Sequence, residues 1–257
     1  MISLLLVALL IGAAPDKPTC VNTNGQTVCG YSCKSESGKA KCAQTPQGIC
    51  TSYDGQILCF DPPRILGQVL GEVPPPECKV AQGKTACGYH CTSSMSPLVC
   101  ATTPAGVCEA RFGLTVCFDP PEEVFAVWGS NVPAPKCLAQ DGHIACGYNC
   151  VASSGNLACA KTPVGVCLSK DSTVRCFDPA SAVLCALGAD IKRPACVADL
   201  GQIACGYDCK SASGKLACAQ TPRGSCNEGA GGVTCFDPPI DPGESTACFR
   251  VRAKAQP

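Results

Sequence analysis

Cysteine dominates the reactive side chains of this sequence: 26 of its 257 residues are cysteine, against only two histidines, His90 and His143. Thiols at that density can form disulfides, ligate a metal or exchange electrons, and their spacing separates the three. Cys20, Cys29, Cys33, Cys42, Cys50 and Cys59 are separated by 9, 4, 9, 8 and 9 positions. The same intervals recur in Cys78, Cys87, Cys91, Cys100, Cys108 and Cys117, then in Cys137, Cys146, Cys150, Cys159, Cys167 and Cys176, then in Cys196, Cys205, Cys209, Cys218, Cys226 and Cys235. Cys29-x3-Cys33 and its copies fall within the short ligand spacing of zinc sites. The Cys-x-x-Cys of redox-active dithiols and of covalent haem attachment is absent. Neither histidine comes with a nucleophile and an orienting carboxylate. His90 stands where the other copies have Ser32, Asn149 and Asp208, and His143 where they have Gln26, Lys84 and Gln202. Asp61, Asp119, Asp178 and Asp237 recur once per copy, too sparsely for paired-carboxylate chemistry, which needs two acids about 5–10 Å apart. The expectation is no catalytic residue, no resident metal and no cofactor.

The elements that carry the cysteines follow from the same spacing. The grid has a period of 58 or 59 residues and occurs four times, each copy holding three Cys-x8-Cys segments. Glycine occupies the second of the two central positions in ten of the twelve segments, as in Asn24-Gly25 and Asp54-Gly55; Met95-Ser96 and Asp171-Ser172 are the exceptions. Asn-Gly and Asp-Gly centres favour a type I′ turn, which needs positive φ at both positions, so each segment reads as a short β-hairpin. Counting outward from Asn24-Gly25 pairs Thr23 with Gln26, Asn22 with Thr27, Val21 with Val28 and Cys20 with Cys29. Alternation from the turn puts the cysteines on a non-hydrogen-bonded pair, where side chains approach most closely and a disulfide fits. A type I turn with a glycine bulge would slip that register. Cys185 and Cys248 lie outside the grid, and an even total in an exported chain makes them the remaining pair.

Connectors and repeat-specific residues complete the pattern. Asp61-Pro62-Pro63, Asp119-Pro120-Pro121 and Asp178-Pro179 read as helix N-caps followed by a first-turn proline. Glu122 and Glu123 suit the positive end of the second helix. Apolar residues follow at helical spacing (Ile65, Leu66, Val69 and Leu70; Val124, Phe125, Val127 and Trp128; Val183, Leu184 and Leu187), and Gly71, Gly129 and Gly188 stand at the C-terminal stops. Thr-Pro-x-Gly, starting at Thr45, Thr103, Thr162 and Thr221, reads as a rigid turn. Tyr31, Tyr89, Tyr148 and Tyr207 either fill small cores with Phe60, Phe118, Phe177 and Phe236 or form a row of rings facing a ligand. Trp128 reads as an inter-repeat contact, with an exposed partner anchor as the alternative.

The predicted fold is therefore small, disulfide-rich and mainly β: four tandem units of three short hairpins each, joined by short helices. The expected boundaries are repeats at 20–63, 78–121, 137–180 and 196–239, helical connectors at 64–77, 122–136 and 181–195, and a tail at 240–257. Residues 1–13 read as a secretory signal peptide, an apolar run from Ile2 to Ile11 followed by small residues and cut after Ala13. The expected location is secreted, periplasmic or envelope-associated, with no membrane span in the mature chain. Lys plus Arg and Asp plus Glu are each 20, and that balance removes the basic face a nucleic-acid binder needs. Hydrophobic residues make up 46% of the chain, and setting aside the 26 cysteines leaves about 36%, short of one large apolar core.

CGYxC, CAxTPxGxC and CFDPP across residues 20–239 resemble a group of bacterial exported cysteine-rich repeat proteins. That resemblance implies export and a repeated scaffold, with no activity attached. The expected role is a non-enzymatic structural spacer or multivalent binding module for an extracellular glycan, cell-wall polymer or protein. A secreted inhibitor or toxin-like effector is the alternative, and a metal-sequestering protein ranks third.

Overall fold

The computed structural model describes residues 17–95, 97–240 and Cys248. The expected signal peptide 1–13 and, apart from Ile240 and Cys248, the expected tail lie outside them. The chain is mainly β and divides into two compact units, one ending at Asp61 and the other beginning at Pro62.

The first unit contains β1 (Thr19–Thr23), β2 (Gln26–Glu36), β3 (Lys39–Ala43), β4 (Ile49–Tyr53) and β5 (Gln56–Phe60). Cys20 faces Cys29 and Thr23 faces Gln26, the register counted from the turn. The cysteine Cα atoms are 4.0 Å apart, the close approach of a non-hydrogen-bonded pair. Asn24 (φ +49°) and Gly25 (φ +79°) form the I′ geometry, and both central residues have positive φ at ten of the eleven turns whose two central residues are described. Asp171-Ser172 is one of them, without a glycine, at +47° and +64°. Asn156 holds it by donating from Nδ2 to the Ser172 carbonyl at 2.8 Å. The Ala230-Gly231 turn has its glycine, yet the positive φ falls on Gly232 (+114°).

Each repeat contains the three expected hairpins. The first two hairpins share β2, giving a three-stranded β1-β2-β3 sheet, while β4 and β5 make a second sheet lying against it. The fusion depends on the residues between the second and third cysteines. Register shifts between Tyr31 and Lys34, and Ser32 takes a left-handed conformation (φ +47°), so one bulge carries the strand from one partner to the next.

The second unit contains the same arrangement three times. Its strands are β6 (Glu77–Ala81), β7 (Lys84–Thr92), β8 (Val99–Ala101), β9 (Val107–Arg111) and β10 (Leu114–Phe118); β11 (Lys136–Gln140), β12 (His143–Ser153), β13 (Asn156–Ala160), β14 (Val166–Lys170) and β15 (Thr173–Phe177); and β16 (Ala195–Asp199), β17 (Gln202–Ala212), β18 (Lys215–Ala219), β19 (Ser225–Gly229) and β20 (Gly232–Phe236). β8 is three residues long. Its hairpin lacks the central glycine, and Pro97 has no N–H to give the ladder.

Three short helices, α1 (Arg64–Val69), α2 (Glu122–Trp128) and α3 (Ser181–Leu187), precede the second, third and fourth copies, with α1 on α2 and α2 on α3. The expected aspartate caps do not form. The N-cap residues are Pro63, Pro121 and Ala180, none with a side-chain cap bond, because a residue followed by proline is driven out of the helical region and the chain stays extended past Asp61 and Asp119. The glycine stops hold: Gly188 N–H donates to the Leu184 carbonyl at 2.8 Å, with φ +73°.

The large apolar side chains of this unit gather around the helices. Val124, Phe125, Val183 and Leu184 are at most 1% exposed. Two aromatic pairs join successive copies edge to face, Phe118 with Tyr148 at 5.8 Å and Phe177 with Tyr207 at 5.9 Å between centroids. These rings fill joints between copies rather than a core inside each.

Candidate functional site

All 26 cysteines are paired. Twelve bridges close the Cys-x8-Cys segments, and Cys185 bonds Cys248 across 63 residues with the Cα atoms 5.3 Å apart. No thiolate remains to hold a metal, and among the described residues no three His, Cys, Asp or Glu side chains converge.

The recurring aspartates have a structural task. Asp237 Oδ1 accepts from Gln220 N at 2.8 Å, Thr221 N at 2.7 Å and Thr221 Oγ1 at 3.0 Å. Asp61, Asp119 and Asp178 hold Thr45, Thr103 and Thr162 in the same way. A Cβ on Gly224 would stand 2.2 Å from Asp237 Oδ1, so the glycine of Thr-Pro-x-Gly makes room for the carboxylate. Burial disfavours the charge on Asp237, but the bonds from Gln220 and Thr221 outweigh it and hold its carboxyl below the usual range. The lowered pKa stabilises the fold above the unfolded value near 3.9, and that part fades as pH falls through the folded one. Asp237→Ala should cost roughly 2–3 kcal/mol at neutral pH. The gap from wild type, read from denaturant midpoints, should narrow in acid.

The bulge residue is the second recurring device. Ser32 Oγ accepts from Cys50 N at 3.2 Å and Asp208 Oδ2 from Cys226 N at 2.8 Å, Asn149 Nδ2 donates to the Gly165 carbonyl, and His90 Nε2 lies 3.0 Å from the Pro104 carbonyl. Each ties the three-stranded sheet to the third hairpin or to the turn before it. All four have φ between +41° and +49°, which Asn, Asp and His tolerate better than most side chains. His90 is therefore a latch. His143 opens β12 opposite Gln140 and is exposed.

The tyrosines do not form a row of exposed rings. Tyr89, Tyr148 and Tyr207 are buried (2–6% exposed) and Tyr31 is half-buried. Tyr89 donates from its hydroxyl to the Pro74 carbonyl at 3.0 Å. Burial pushes the Tyr89 and Tyr207 phenols up to about 12, and Tyr148 upward as well. An unfolded chain releases these protons near pH 10 while the folded chain keeps them, so stability falls as pH rises above about 10. A rapid pH jump followed by tyrosinate absorbance should show these three phenols ionising late, together with unfolding. Tyr207→Phe should remove one of them.

Two clefts in the second unit are large enough for a small ligand. The larger, about 640 Å³, lies among the α1 C-terminal segment, the His90 bulge, the Pro104 turn and Phe125 of α2. The other, about 560 Å³, overlaps the first in repeat position at Pro133 for Pro74, Asn149 for His90, Pro163 for Pro104 and Arg193 for Ala134, whereas Lys136, Leu138 and Tyr148 line the second without a counterpart in the first. Both fall in the size range of small-ligand sites. Their charges differ, since Glu72 and His90 line the first whereas Lys136 and Arg193 line the second. Half-buried Trp128 packs on the core and also lines the second cleft. Sequence reasoning missed the clefts. A usable signal was the run of turn-tolerant residues Ser32, His90, Asn149 and Asp208 at one repeat position.

No protein-family model, curated protein or solved structure matches the chain.

Proposed function

We propose that this chain is a non-enzymatic exported repeat protein, a rigid disulfide-stapled spacer presenting binding clefts at a fixed period. The proposal includes kinship with the bacterial exported group that the cysteine motifs resemble. The observation that carries it is the second cleft standing one repeat after the first on the same bulge and turn, His90 and Pro104 in one and Asn149 and Pro163 in the other. Weak sites repeated on a stiff frame gain avidity when the ligand is itself repetitive, as glycans and cell-wall polymers are. Cosedimentation of the full chain with insoluble cell-wall polysaccharide tests the reading. Binding should weaken when Arg193→Ala alters the second cleft and weaken further when Glu72→Ala alters the first. Unchanged sedimentation in both variants would move the search to the inhibitor reading and to protease assays.

A further inference from the structure

Two hairpin tips of the second repeat differ from their counterparts in the other copies in residue type and in charge. Type I′ turns need left-handed residues, and Asn24, Ser37, Asp54, Asp141, Ser154, Asp171 and Ser213 supply residue types suited to turns. In the second repeat the corresponding positions hold Met95 (φ +46°) and Phe112 (φ +55°), bulky side chains for which this conformation is costly. They do not gain burial in return: Met95 is 86% exposed and Phe112 55%, with Leu114 at 47% in the Phe112 hairpin and Val80 at 48% in the first hairpin of the same repeat. β7 lies against β9 and β8 against β10, so the two tips share one end of the repeat. The other copies have Ser37, Ser154 and Ser213 in place of Met95 and Asp54, Asp171 and Ala230 in place of Phe112, so folding does not require these residues.

Charge follows the same division. Residues 80–99 and 110–118 contain Lys84, His90 and Arg111 and no Asp or Glu. The corresponding stretches elsewhere all include acids: Glu36 and Asp54, Asp141 and Asp171, then Asp199, Asp208 and Glu228. No ion pair occupies Lys84 or Arg111 among the described residues, and the Arg111 guanidinium sits 5.9 Å from the Phe112 ring centroid. Leu200 is also left-handed and exposed, but it stands alone and follows Asp199.

From this we propose that the second-repeat tips are a membrane-interface anchor, with Met95, Phe112 and Leu114 entering the apolar boundary of a bilayer while Lys84 and Arg111 meet anionic headgroups. The apolar groups stand on turn tips and line neither cleft, whereas a protein hot spot is seated in a packed pocket. Shallow apolar insertion beside cations is how interfacial anchors combine burial with charge.

The test is cosedimentation of the full disulfide-bonded chain with phosphatidylglycerol–phosphatidylcholine vesicles and with phosphatidylcholine alone. Wild type should bind the anionic vesicles, bind the neutral ones far less, and be released by salt. Met95→Ser with Phe112→Asn should weaken binding roughly tenfold or more. Both replacements introduce residues suited to these turns, and intact mass will show the bridges retained. Lys84→Gln with Arg111→Gln should flatten the salt dependence. A wild-type chain that ignores anionic vesicles, or a Met95→Ser, Phe112→Asn chain that binds as well as wild type, overturns the proposal and leaves the tips to a protein partner.

Discussion

Reducing the disulfides should unfold this protein completely at room temperature, with loss of the β-sheet circular dichroism signal and rapid proteolysis throughout. In the chain-entropy treatment each ten-residue loop contributes about 2.5 kcal/mol and the Cys185–Cys248 loop about 4. The loss of a handful equals the whole margin of about 5–15 kcal/mol by which domains are stable. Apolar burial cannot make up the difference, above all in the first unit. Its buried apolar residues are Cys42, Ala43, Cys50 and Ile57, and two of those four are themselves in bridges. The second unit has Leu66, Val124, Phe125, Val183 and Leu184 besides its disulfides. Under limiting reductant, residues up to Asp61 should therefore become protease-sensitive before the rest.

The largest effect of a single substitution should come from Gly147→Ala, about 3 kcal/mol in denaturant unfolding. A Cβ there would stand 2.5 Å from the Ala160 carbonyl oxygen and 2.8 Å from Cys159 Cβ. Neither neighbour is the free end of a flexible side chain, so β12 and β13 must separate, and that strains the closure of Cys150–Cys159. The oxidised variant should accordingly contain a fraction with those two cysteines open. Gly142→Ala is the matched control. Nothing lies within 4 Å of its Cβ position, so only the positive φ (+79°) resists it, at about 1 kcal/mol.

How much of this could be read in advance depended on whether the deciding contact was local. The Cys20–Cys29 register was legible because turn, strands and bridge lie within ten consecutive residues. Asp61 misled because Asp-Pro-Pro has a local meaning as a helix start, while its carboxylate bonds Thr45, sixteen positions upstream. The fused strand β2 was hidden in Cys29-x3-Cys33, since spacing alone does not distinguish a loop from a bulged strand. The Phe118–Tyr148 joint joins different copies, so a pattern read one copy at a time assigns both rings to the wrong core. The clefts were invisible for a similar reason: each combines a helix end, a bulge and a turn that meet only in the folded chain.

A ladder of local cross-strand bridges, rather than a large core, holds the frame. Peptide mapping of the unreduced protein, alkylated before and after reduction, decides between the two. The account predicts no free thiol, the pairs Cys20–Cys29, Cys33–Cys42 and Cys50–Cys59 with their counterparts in every copy, and Cys185–Cys248. Bridges running between hairpins, or cysteines that are free or protected by a metal, would contradict it.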